Sequence, residues 1–75
     1  MKKQEIPNSL LQELLAEAKQ GSGIEHELGG GNTSYEMTLL KSDLLDYPAV
    51  GHLAGKHLTL VVNVNGALIG HKVRA

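Results

Sequence analysis

Leu10, Leu11, Leu14, Leu15 and Ala18 recur at the interval that lines one side of a helix, while Gln12, Glu13, Glu17 and Lys19 fall on the opposite side. Ser9 precedes the run and Gln12 follows three residues later, the arrangement of a capping box, and Gly21 stands in the usual stop position. The pattern predicts a helix over residues 9–20. Its leucines need an apolar surface to cover, and a sheet would supply one.

At the other end, HLTLVVNVNGALIGHKVRA sets two runs rich in Val, Leu and Ile on either side of Asn65-Gly66. Asn-Gly is the strongest short hairpin signal, because both residues tolerate positive φ. A two-residue turn there pairs Val64 with Ala67, Val62 with Ile69, Leu60 with His71 and Leu58 with Val73 on one face. Thr59 with Lys72 and His57 with Arg74 fall on the other. One face reads as a core wall, the other as mildly basic.

The stretch HELGGGNTSYE answers to the same rule. A four-residue loop Gly29-Gly30-Gly31-Asn32 sets Leu28 against Thr33, His26 against Tyr35 and Ile24 against Met37. That gathers Ile24, Leu28, Tyr35, Met37 and Leu39 on one face. Glu25, Glu27 and Glu36 fall on the other, with Glu25 across from Glu36, so this acidic face must be wet or meet a cation.

Between the hairpins, KSDLLDYPAVGHLAG offers Ser42 as a cap for one helical turn through Leu45, then Pro48, Gly51 and Gly55 as breakers. Residues 1–7 read as frayed. The order helix, hairpin, connection, hairpin predicts an α+β fold, an N-terminal helix packed on a small antiparallel sheet of two β-hairpins, in a single domain over residues 1–75.

Length then changes the picture. A chain of 75 residues with 41% hydrophobic content builds one small core. Such a chain buries only about 60% of its unfolded surface, so self-association, most simply as a homodimer, is expected. The absence of cysteine removes disulfides, thiolate zinc sites and thiol catalysis, and fits a cytoplasmic setting. Met1-Lys2-Lys3 resembles the basic start of an export signal, but Gln4, Glu5, Pro7 and Asn8 follow where the apolar region belongs. The longest apolar runs are far shorter than the roughly 20 residues that span a bilayer, so no membrane contact is expected. Seven basic against eight acidic side chains leave a net charge of −1. Nucleic acid is therefore not a favoured partner, and Lys56, Lys72 and Arg74 are the residues that would make a local basic contact. Only Tyr35 and Tyr47 are available to stack on bases.

The chemical candidates are few. Gly29, Gly30, Gly31, Asn32 and Thr33 could present backbone N–H groups to an anion, but phosphate loops usually open a helix, and here a strand follows with no lysine close by. The six residues GGGNTS resemble the phosphate-contacting loop of class II aldolases. That family's fold needs a far longer chain with metal-binding histidines downstream, so the resemblance implies a phosphate contact at this turn and nothing about the fold. His26 and His71 both land on the apolar faces, where lone histidines are usually hydrogen-bonded, and no cysteine completes a zinc spacing, so neither metal nor cofactor is expected. In a half-buried seam they would make assembly sensitive to pH. Ser34, His26 and Glu25 cannot form a triad, because neighbouring strand residues point to opposite faces. The sequence thus points to a small non-enzymatic interaction module, a regulator or inhibitor that binds and masks another protein. Glu25, Glu27, Glu36 and Tyr35 would make the contact. The alternatives are an oligomer that sequesters a phosphate-bearing small ligand at the glycine loop, and a DNA-associated regulator.

Overall fold

A computed structural model of the protein describes residues 6–75. The first element, α1, spans Asn8–Glu17 and widens into a five-residue π turn, Ala18–Ser22, in which Gly21 adopts φ +114° and ends the helical path. The five apolar side chains at helical spacing are all buried. Ser9 is not the cap. Pro7 precedes the helix with φ −60° and no side-chain cap, and its carbonyl accepts the Leu11 amide over 3.0 Å. Ser9, already inside the helix, instead lies 3.2 Å from the Tyr47 hydroxyl, which itself donates to Glu13 at 3.2 Å. Nor does the expected fraying reach Ile6 and Pro7, because Ile6 is only 2% exposed and belongs to the core. Residues 1–5 lie outside the described residues.

The sheet contains β1 (Ile24–Glu27), β2 (Thr33–Thr38), β3 (His57–Val62) and β4 (Leu68–Arg74), antiparallel throughout and ordered β1-β2-β3-β4. Directly opposed residues share a face. The inner face, toward α1, therefore carries Tyr35 and Met37, Leu58, Leu60 and Val62, and Leu68 and Val73. Leu58 and Leu60 are wholly inaccessible, as is Leu39 just past β2. Burying one such side chain contributes about 1.5–3 kcal/mol.

The first hairpin departs from its expected register along its whole length, the second only at its tip. In the first, Ile24 pairs with Glu36, Glu25 with Tyr35, His26 with Ser34 and Glu27 with Thr33, and the Leu28 amide meets the Asn32 carbonyl at 2.8 Å. The loop is thus the three glycines alone, one residue shorter than expected. The shorter loop removes the confrontation of Glu25 with Glu36 and turns every β1 side chain to the opposite face.

In the second hairpin, the pairs from His57–Arg74 to Leu60–His71 are as expected, but Val61 meets Gly70 and Val62 meets Leu68, leaving Ile69 as a bulge. The turn is not a two-residue one. Asn63 bonds Ala67 across Val64-Asn65-Gly66, and only Gly66 has positive φ, at +82°. Asn63 Oδ1 accepts the amides of Asn65 and Ala67 at 2.9 and 3.0 Å, holding the chain in this wider loop. Val64, outside the ladder, is 74% exposed.

The connection between hairpins folds into two 3-10 turns, Lys41–Leu44 and Pro48–Leu53, rather than one helical turn and a loop. Ser42 does not cap the first turn. Asp43 accepts the Leu40 amide at 3.0 Å in that role. Leu44, Val50 and Leu53 complete the core beside α1. Helical segments therefore cover the inner face, and among the described residues no layer covers the outer one.

Candidate functional site

The uncovered face is built by alternation. It carries Ile24 and His26 of β1, Ser34, Glu36 and Thr38 of β2, His57, Thr59 and Val61 of β3, and Gly70, Lys72 and Arg74 of β4. Ser34 is the one polar residue here that is buried, walled in by strands on both sides. The His26 imidazole Nε2 lies 3.8 Å from Glu36 Oε2, a diagonal contact that becomes an ion pair when the imidazole is protonated. Lys72 and Arg74 give the β4 side of the face a positive border, with His57 opposite Arg74.

At the start of β1 this face sinks into a hollow of about 330 Å³ lined chiefly by Ile24, Leu40, Glu36, Thr38 and His57. Ile24 is 64% exposed and Leu40 56%, so two large aliphatic side chains border a carboxylate, a hydroxyl and an imidazole. A hollow of similar size, about 350 Å³, lies under the exposed Leu45 between Lys41 and Pro48, but no acidic or imidazole group lines it.

The structure divides the residues that the sequence grouped. Glu36 is on the outer face, whereas Glu25 and Glu27 stand opposite Tyr35 and Thr33 on the inner one. Tyr35 is half-buried against the core, so it is not paired with Glu36 as a contact residue. The glutamates of β1 remain exposed at this edge of the sheet, although the π turn Ala18–Ser22 packs on the neighbouring β2. Lys72 and Arg74 do share the outer face; Lys56 lies before β3 and is half-buried. Gly29, Gly30 and Gly31 form a 3-10 turn in which Gly30 and Gly31 have φ +77° and +85°, and Asn32 and Thr33 lead straight into β2. His71 stands on the inner face opposite Leu60, whereas His26 has turned outward. Among the described residues no three of His, Asp and Glu converge as metal ligands.

The sequence left out Leu40 and assigned Ile24 to the core. The expected four-residue loop set Ile24 against Met37 on the inner face, and the shorter loop turns it outward. No family model, curated protein or solved structure matches this chain. Among the described residues no helix is long and apolar enough to cross a membrane.

Proposed function

We propose that this chain is a small, non-enzymatic interaction module of the cytoplasm that binds and masks another protein through the uncovered face of its sheet. The observation that carries the reading is the one-sided layering. The helix and the two 3-10 turns between the hairpins bury their apolar side chains in the core on the inner face, while the outer face presents Thr38, His57, Thr59, Val61 and Lys72 on an antiparallel ladder. Antiparallel sheets tolerate water on one side. A mixed hydroxyl, imidazole and charged surface with aliphatic positions at Ile24 and Val61 also suits a polar protein contact. Size agrees, since a contact of about 800 Å² per partner is roughly a sixth of the accessible surface of 4721 Å².

Photo-crosslinking in the producing cells tests this. A benzophenone side chain replacing Thr59, at the centre of the outer face, should trap a discrete protein adduct, and the same group replacing Gln12 on the outward side of α1 should not. Adducts from Gln12 alone would overturn the reading.

A further inference from the structure

Among the described residues the outer backbone edges of β1 and β4 have no neighbouring strand, and they differ in charge. β1 carries Glu25 and Glu27; β4 carries His71, Lys72 and Arg74. We infer that β1 of one copy pairs with β4 of a second copy, so that copies of this chain join head to tail into one continuous antiparallel sheet. This goes beyond the masking function and uses the edges, leaving the centre of the outer face free.

Topology favours this partner. In an even-stranded meander β1 and β4 run in opposite directions, so a copy displaced along the sheet brings its β4 alongside β1 in the antiparallel sense used everywhere else. The symmetric alternatives are worse. β1 against β1 sets Glu25 opposite itself or opposite Glu27, and like charges directly opposed are destabilising. β4 against β4 sets Lys72 opposite itself, or slides the Ile69 bulge into the new ladder.

The register follows from keeping clear of that bulge. Residues 24–27 then lie opposite residues 74–71 of the neighbouring copy, Glu27 against His71, His26 against Lys72, Glu25 against Val73 and Ile24 against Arg74. Faces match, since Glu25, Glu27, His71 and Val73 are all inner and Ile24, His26, Lys72 and Arg74 all outer. On the inner face the incoming His71 sits between two carboxylates, directly opposite one and diagonal to the other. On the outer face the incoming Arg74 is two strand spacings from Glu36, roughly 10 Å between backbones, a gap that the two long side chains close across the exposed Ile24. The hollow beside Ile24 and Glu36 thus receives a guanidinium from the next copy and is incomplete without it. His26 beside the incoming Lys72 is the one unfavourable neighbour, and Glu36, 3.8 Å from that imidazole, offsets it.

Because the contact is heterologous, it repeats until the chain of copies closes or continues. Light scattering on the full chain should give a mass that grows with concentration beyond about double the 8.0 kDa protomer. Glu25→Lys with Glu27→Lys should reduce it to the protomer, as should His71→Glu with Arg74→Glu, which sets carboxylates opposite Glu27 and toward Glu36. Mixing the two double variants in equal amounts should restore assembly, because each supplies the edge that the other lacks. A wild-type protomer mass at every concentration, or folded variants that fail to rescue each other, would overturn the inference. A second measurement does not depend on those variants folding. The native chain has no cysteine, so Glu27→Cys combined with His71→Cys should oxidise to a ladder of dimers, trimers and longer species on a non-reducing gel. Glu27→Cys combined with Lys72→Cys, on opposite faces, should not. A ladder from the second pair, or none from the first, would also overturn it.

Discussion

Lys19 donates its ammonium to the Gly66 carbonyl over 3.2 Å, tying the end of the first helical segment to the tip of the last hairpin. The bond is exposed to solvent, so it is worth less than about 1 kcal/mol. Gly66 matters more for its backbone, held at φ +82°. Gly66→Ala should cost about 1–2 kcal/mol from the left-handed conformation alone, since the added Cβ would lie 3.5 Å from Lys19 Nζ, an ordinary contact. Urea denaturation should rank Gly66→Ala well above Lys19→Ala, and the opposite ranking would mean that the tether rather than the turn holds this corner.

Two other glycines should respond in opposite directions. A Cβ on Gly23 would meet Ala18 Cβ and the Glu36 carbonyl oxygen, both at 3.2 Å, where the π turn passes over β2. Gly29 has open space and no positive φ. Gly23→Ala should destabilise by about 1 kcal/mol or more, and Gly29→Ala should be neutral or stabilising by up to about 1 kcal/mol. Paired melting curves decide it; a damaging Gly29→Ala would mean that the glycine turn has a role beyond bending.

The Glu17 carboxyl gives a pH dependence. Burial first, then the charge and hydrogen bond of Asp43 and the charge of Glu13, raise it above its ordinary 4.5. The folded chain therefore holds that proton more tightly than the unfolded chain, and ionising Glu17 lowers stability. The penalty is absent below 4.5 and grows as pH rises through the raised value. Glu17→Gln should raise the melting temperature at a pH of about 7 and lose its advantage at about 3. An equal gain at both would exclude ionisation as the cause.

Ile6 tests whether the segment ahead of α1 belongs to the fold. At 2% exposure it packs among the buried leucines, so Ile6→Ala should cost about 2–5 kcal/mol, a large part of the roughly 5–15 kcal/mol typical of a whole domain. Chemical denaturation showing no change would place Ile6 outside the core.

The helix was legible because its five buried positions repeat over three turns, and the lower half of the second hairpin because Leu58 and Leu60 alternate against His71 and Val73. What could not be read was decided by groups without pattern. Three consecutive glycines give no hint of which flanking residues close the loop, so one residue of register was lost, and with it the face of Glu25 and Glu27. The Asn63 side chain converts the Asn-Gly turn into a wider loop, and Ile69 leaves the ladder as a result. Ile24 is exposed because that one-residue slip turns it to the outer face, away from α1. The pairing of Glu36 with His26 rather than Glu25 follows from the same slip.

The meander has a consequence during synthesis. Each strand needs only its immediate predecessor to pair, yet α1 rests on side chains such as Leu58 and Leu60 that lie some 40 residues further along the chain. At about 5–20 residues per second on the ribosome, its leucine stripe waits a few seconds, exposed, for its covering sheet.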